Sequence, residues 1–228
     1  MDFKPILFNT EMVRAILDGR KTQTRRLLKP KYRPGEDSFQ IITNAHSGRF
    51  VRVEYCDEYG NETRWMPPPC EVGDILWVRE TWCDPEPDNY MVPVFYKADM
   101  PLHWDAEDTA HGEAVDITAD EFKWCPSIHM PKGFARIFLK VKDVRVERLQ
   151  DITEEQAEKE GCWAGCFRST CGPVDNYDEP PEQFDAVEDF QRVWDSTIKP
   201  AERDKYSWDA NPWVWVIEFK RIKQPKEF

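Results

Sequence analysis

Long apolar runs are missing from this sequence. No stretch approaches the roughly 20 consecutive apolar residues that a membrane-spanning helix requires. Residues 1–5 also lack the charged-then-apolar pattern of a secretory signal peptide. We therefore expect a cytoplasmic protein without a membrane partner.

Three familiar catalytic signatures are missing as well: a glycine-rich phosphate loop, a G-x-S-x-G elbow and an H-E-x-x-H pair. The sequence does contain material for a core, since 40% of its 228 residues are hydrophobic and 13% are aromatic. We predict a single domain over residues 1–228, with surface insertions at 98–122 and 162–182 and no cofactor.

An even set of cysteines is also absent, because the count is seven. An odd count without a signal peptide favours free thiols or a metal site over a disulfide framework. Cys162, Cys166 and Cys171 lie closest together in sequence, but zinc takes about four ligands and C-x3-C-x4-C is not a common finger spacing. We predict no metal and keep these three as weak zinc candidates, with Cys125 or His129 as a possible fourth ligand.

Basic residues are not in excess. The net charge of −12 argues against a general nucleic-acid coat protein, because such proteins usually carry a basic surface. The charge is uneven, however: residues 1–33 carry nine bases and three acids, and residues 149–190 carry two bases and twelve acids. We interpret the acidic blocks as solvated faces, and the basic block as a patch on an acidic body.

Strand patterns outnumber helix patterns. The predicted strands cover residues 22–28, 39–42, 50–55, 75–78, 92–96, 135–146 with a break near 142–143, and 213–219. The predicted helices run from residue 9 or 10 to 18, from Thr153 to Gly161 with a capping box completed by Gln156, and from 182 to 198. This mixture predicts an α+β protein, a small mixed β-barrel with flanking helices.

Residues 19–26 place four cations and two hydroxyls in eight positions. One interpretation is structural: Gly19 ends a helix, Arg20 and Lys21 complement its dipole, and the later arginines lie on a strand face. Four cations so close together also repel one another, and nearby acids or a bound anion would relieve that repulsion. The segment is therefore a candidate binding site for a nucleoside or nucleic acid, through Arg20, Arg25 and Arg26.

Four segments resemble, in order, the motifs of ASCH domains, which belong to the PUA-like superfamily. ILDGRKT at residues 16–22 is similar to the family's G-x-K-T signature, and VGDIL at 72–76 is similar to its G-D-x-hydrophobic strand. Residues 149–161 resemble the L-T-E-x-x-A-x-x-E helix, and WVIEF at 215–219 resembles the closing strand. The resemblance implies a PUA-like small mixed β-barrel and a function in RNA binding or nucleoside chemistry.

One bacterial branch of that family consists of small N4-acetylcytidine amidohydrolases. Their proposed catalytic Lys, Thr and Glu correspond by motif to Lys21, Thr24 and Glu160. The resemblance implies that Thr24 is the nucleophile, that Lys21 is its base, and that Glu160 orients the lysine or passes a proton. On a continuous strand Lys21 and Thr24 would point to opposite faces, so they converge only if residues 19–23 form a turn. For Glu160, a solvated carboxylate in the last helical turn is the alternative.

Two further residues are candidates for nucleoside or nucleic-acid binding. His129 lies between Pro126 and Pro131, in a loop with a defined path, where it would contact a base edge or bond to backbone. Trp77 would provide a stacking surface or pack in the core.

The leading hypothesis is an ASCH-type hydrolase that acts on an N4-acylated cytidine or a related modified nucleoside. The alternative is a non-catalytic module that binds RNA or modified bases, with a modified nucleoside or a short RNA or DNA segment as partner. A third is a structural role in phage assembly, because SIHMP at 127–131 and WDANPW at 208–213 resemble phage-borne ASCH proteins. The acidic balance favours a small nucleoside over a long polyanion.

Overall fold

The computed structural model describes residues 2–47, 49–84, 94–100, 123–162, 165–166 and 183–228. Their contacts divide the chain into two compact units. The first unit comprises Met1–Gly19, Asp74–Lys140 and Arg221–Phe228, and the second comprises Arg20–Gly73 and Val141–Lys220.

Strands dominate both units. The strands are β1 (Phe3–Leu7), β2 (Gln23–Leu27), β3 (Ser38–Thr43), β4 (Phe50–Cys56), β5 (Glu62–Met66), β6 (Ile75–Arg79), β7 (Trp82–Cys83), β8 (Phe95–Tyr96), β9 (Phe138–Arg148), β10 (Gly165–Cys166), β11 (Gln183–Phe184) and β12 (Trp213–Ile222). The helices are α1 (Thr10–Leu17), α2 (Glu154–Lys159), α3 (Ala186–Thr197) and α4 (Arg203–Tyr206). The mixed α+β class is confirmed. Among the described helices, none combines the length and the apolar character needed to cross a membrane.

The sheets are mostly antiparallel. In the first unit β1 pairs in parallel with β6, and β6 pairs antiparallel with the start of β9. In the second unit β12 lies between β9 and β2, and β3, β4 and β5 form a separate antiparallel sheet. Each sheet has a linear strand order within the described residues, so the closed PUA-like barrel stays a prediction.

The core of the first unit is aromatic. Ile75, Trp77 and Phe138 are buried there, and the ring of Phe228 packs 4.6 Å from that of Phe138 and 6.2 Å from that of Trp77, measured between centroids. Only 8% of Trp77 is exposed. Most of its ring surface is therefore used in packing.

The second unit has two apolar clusters, because successive side chains of β12 point to opposite faces of the sheet and enter different clusters. Val214 and Val216 pack in one cluster with Phe190 and Trp194 of α3. Trp215, which alternates with the two valines, packs in the other cluster beside the sheet formed by β3, β4 and β5. The two faces of β12 therefore pack against different parts of the second unit.

Two element predictions are wrong. Strand β9 continues without the predicted break near 142–143, because Asp143 alternates with Arg145 and Glu147 and all three fit a strand. The third helix begins at Ala186 rather than at 182, because the Asp185 side chain caps it by accepting a hydrogen bond from the Glu188 amide.

Parts of other predictions lie outside the described residues. Of the strand predicted over 92–96, only 94–96 is described, and Phe95 and Tyr96 form β8. A 3-10 turn at Lys97–Asp99 overlaps the start of the first insertion, predicted at 98–122, and 101–122 are not described. In the second insertion, residues 163–164 and 167–182 are not described.

We expect the replacement of Gly19 by alanine to destabilise the protein. Gly19 follows α1 with φ at +78°, a left-handed conformation that costs other residues roughly 1–2 kcal/mol. Gly133 is the matched control, because its backbone lies outside that region and an added Cβ would meet nothing within 4 Å. Urea unfolding should show a lower free energy of unfolding for Gly19→Ala and no loss for Gly133→Ala. Equal behaviour of the two variants would contradict this account.

Candidate functional site

Lys21 and Glu160 form a buried ion pair in the second unit. The Lys21 ammonium donates hydrogen bonds to Glu160 Oε2 at 2.8 Å and to the Glu160 carbonyl oxygen at 2.7 Å. The exposed fraction is 0% for the Lys21 side chain and 4% for the Glu160 side chain. The Thr22 amide also donates to the Lys159 carbonyl at 2.8 Å, so the start of β2 is fastened to the end of α2.

The capping box of α2 determines where this helix begins. The Thr153 hydroxyl accepts from the Gln156 amide, and the Gln156 side chain accepts from the Thr153 amide, as the sequence predicted. At the other end Glu160 is the cap residue, and Gly161 takes a φ of +91° that ends the helix. The short helix therefore presents Gln156 and Glu160 from successive turns.

Arg25 binds both of those side chains. Its guanidinium donates to Glu160 Oε1 at 3.1 Å, to Gln156 Oε1 at 2.9 Å and to Glu147 Oε2 at 3.2 Å. Its side chain is fully buried, with the guanidinium carbon 5.7 Å from the centroid of the Phe190 ring. Arg25 was predicted to bind a ligand, and here its Nη donors are directed at side chains of the protein.

A strand pattern that the sequence analysis missed extends this network. Asp143, Arg145 and Glu147 alternate along β9, and Arg145 donates to both of these acids as well as to Glu218 of β12. Burial opposes the charge of Arg145, but its hydrogen bond to Glu147 and the other contacts raise its pKa above the ordinary value. The D-x-R-x-E spacing at 143–147 is the sequence pattern that indicates this charged strand face. It was not recognised because a strand break was expected near 142–143.

Burial lowers the pKa of Lys21 below the ordinary lysine value, and the charge of Arg26 lowers it further, while Glu160 opposes the shift. Deprotonation of Lys21 therefore needs less alkaline conditions than for an exposed lysine. A lysine that loses its proton more readily is suited to act as a general base.

Thr24 lies on the other face of β2 from Arg25. In the register with β12, Thr24 is opposite Ile217 and Arg26 is opposite Trp215, and Thr24 is 1% exposed. Within the described residues, its hydroxyl makes no hydrogen bond to Lys21 or Glu160. The structure brings Lys21 and Glu160 together, whereas the convergence of Thr24 with them stays a prediction.

The other predicted binding residues belong to different units. Arg20 donates to the Gly161 carbonyl at 3.1 Å, beside the Lys21–Glu160 pair. His129 is exposed at the end of a 3-10 turn in the first unit, where Trp77 is a core residue.

No group of three potential metal-ligating side chains is present in the part of the chain that the structure describes. Burial, followed by the charge of Asp189, raises the pKa of the Cys162 thiol to about 12, so it is protonated at neutral pH. The side chain of Cys166 and all of Cys171 lie outside the described residues. The weak zinc candidate formed by these two cysteines and Cys162 therefore stays a prediction.

Comparison of the chain with protein-family models, with curated proteins and with solved structures finds no match. The ASCH resemblance therefore rests on the sequence motifs alone.

We expect Glu160→Gln to destabilise the protein more than Lys21→Met. The first change leaves two buried cations, Lys21 and Arg25, without their shared carboxylate, at a cost of about 3–5 kcal/mol. The second change leaves Glu160 paired with Arg25, so its cost should be smaller. Urea unfolding of both variants measures the difference.

Glu155→Gln is the matched control for this comparison. Glu155 lies on the same helix and pairs with Lys159 at 2.6 Å, but 76% of its side chain is exposed. Exposed pairs of this kind contribute less than about 1 kcal/mol. A Glu160→Gln variant as stable as Glu155→Gln would show that the buried pair does not hold α2 to β2.

Proposed function

We propose that the protein is an ASCH-type hydrolase that removes the acyl group from an N4-acylated cytidine or a related modified nucleoside. The observation that carries the proposal is the buried contact between Lys21 and Glu160, two of the three residues that the motifs select. The lowered pKa of Lys21 supports it, because a buried lysine that loses its proton more readily is a suitable base for a hydroxyl. On this proposal the sheets and helices of the chain form a PUA-like fold.

The proposed reaction has two stages. Thr24 Oγ1 attacks the acyl carbonyl carbon while its proton passes to the Lys21 amine. The bond from that carbon to N4 then breaks, N4 takes the proton back from Lys21, and cytidine leaves an acyl ester on Thr24. Water activated by the same lysine hydrolyses the ester, and Glu160 holds Lys21 in place throughout.

A non-catalytic module that binds modified nucleosides is the second candidate. It is favoured by the hydrogen bonding of Lys21, whose ammonium already donates to two oxygens of Glu160, and by the position of Thr24 across β2 from Arg25. Such a module needs the site to hold a base but needs no activated hydroxyl. The role in phage assembly stays a prediction.

We expect Thr24→Val to abolish release of acetate from N4-acetylcytidine while the protein stays folded. Valine keeps the shape of threonine but removes the nucleophile, and losing a nucleophile costs orders of magnitude in rate. Thr43→Val is the control, because Thr43 is an exposed strand residue of the same unit. Acetate release and thermal melts should be measured for wild type and both variants. Wild-type turnover by Thr24→Val would exclude Thr24 as the nucleophile, and a wild type that binds without turnover would favour the second candidate.

The rate of the wild type should rise with pH. The reactive form of Lys21 is the neutral amine, and burial places its pKa below 10.5, so kcat/KM should increase through a midpoint below that value. Lys21→Arg keeps a positive charge for Glu160 but does not lose its proton in this range. It should therefore lose activity at every pH while retaining most of the stability. A flat pH profile for the wild type would argue against a lysine base.

A further inference from the structure

A surface cleft of the second unit is lined by none of the residues of the Lys21–Glu160 network. Its lining includes Tyr32, Asp37, Ser38, Phe39, Arg148 and Trp213. We call it the Tyr32 cleft. Its volume is about 570 Å³, within the range of roughly 300–1,000 Å³ that is usual for small-molecule sites.

Aromatic rings in this cleft are held in position but remain accessible. Tyr32 is 46% exposed, and its ring meets Tyr55 edge-on with centroids 5.7 Å apart. The guanidinium carbon of Arg148 lies 4.2 Å from the centroid of the Trp213 ring, and Arg148 Nη1 donates to the Asn211 carbonyl at 3.0 Å. Rings and a fixed cation together favour a flat, electron-rich ligand that carries an anion.

The polar groups of the cleft limit the ligand further. The Asp37 amide donates to the Cys56 carbonyl at 3.0 Å, which fixes the backbone at the start of β3. Within the described residues, the Asp37 carboxylate and the Ser38 hydroxyl make no side-chain hydrogen bond, and both residues are exposed. An ionised carboxylate only accepts hydrogen bonds, so a ligand group that contacts it has to donate them.

We propose that the Tyr32 cleft binds a nucleobase, with guanine preferred. The base stacks on the aromatic rings, and its N1–H and N2 amino group donate to the two oxygens of Asp37. Guanine alone among the common bases presents two such donors side by side, whereas uracil presents one N–H between two acceptors. Arg148 then attracts the phosphate. This site is separate from the proposed hydrolase site and does not depend on it.

Calorimetric titration of the whole protein with GMP and UMP tests the proposal. GMP should bind more tightly than UMP. Tyr32→Leu should weaken the binding of both by about tenfold, as expected when a stacking ring is lost. Asp37→Asn should weaken GMP binding and leave UMP binding unchanged. Tyr59→Leu and Glu58→Gln are matched controls, because both residues are exposed and lie outside the cleft, in the turn that precedes β5.

Short single strands that end in guanosine or uridine identify the source of the base. Binding of GMP as tight as that of the guanosine-ended strand indicates a free nucleotide, and tighter binding of the strand indicates a single-stranded nucleic acid. Either result supports a nucleobase site. The proposal is overturned if neither nucleotide nor strand binds, if Tyr32→Leu binds GMP like the wild type, or if the control variants lose as much affinity. Thermal melts of each variant establish that it is folded.

Discussion

A charged amine that is removed from water needs an opposite charge within hydrogen-bond distance, and Lys21 imposes this requirement on the second unit. Glu160 meets it with both a side-chain oxygen and its backbone carbonyl. For this contact the end of α2 has to lie against the start of β2. The hydrogen bond from the Thr22 amide to the Lys159 carbonyl holds the two elements together. The capping box and Gly161 determine the length of α2, and the contacts with Lys21 and Thr22 hold its end against β2.

The need to pair each buried charge with one of opposite sign also applies to the neighbouring strands of the sheet. Glu160 accepts from Arg25 as well as Lys21, Arg25 donates to Glu147, and Glu147 accepts from Arg145. Positive and negative groups alternate, so each buried charge has neighbours of the opposite sign. Donors remain unused even so: Arg25 Nε and Gln23 Nε2 are buried without a hydrogen-bond partner within the described residues. The network is thus strongly held but leaves two buried donors unsatisfied.

Alternation along β12 keeps this polar network apart from Trp215 and the aromatic side chains that pack beside it. Val214, Val216 and Glu218 lie on the face that packs with α3 and meets Arg145, whereas Trp215 lies on the other face. The register with β2 repeats the division, because Arg25 is opposite Val216 and Arg26 is opposite Trp215. A one-residue shift of β2 would turn Thr24 and Arg26 to the face that Arg25 now occupies and would turn Arg25 away from Glu147 and Gln156.

The sequence by itself determined what depends on near neighbours. The capping box at Thr153 and the glycine that ends α1 were predicted from residues within a few positions of one another, and hydrogen bonds of that range form them. The strand at β12 was predicted from its local pattern of apolar residues, but its hydrogen bonds run to β2 and β9, which are distant in sequence. Strand β9 was predicted with a break near Lys142 and Asp143, although the alternation of residues 143–147 fits a continuous strand. The partners of Arg145, one of them in β12, show how this polar stretch is accommodated in the sheet. Motifs selected Lys21 and Glu160, but 139 positions separate them, and only tertiary structure decided that they form a buried pair. Burial, in turn, lowers the pKa of Lys21, because desolvation depends on every group packed around the amine and no local pattern encodes it.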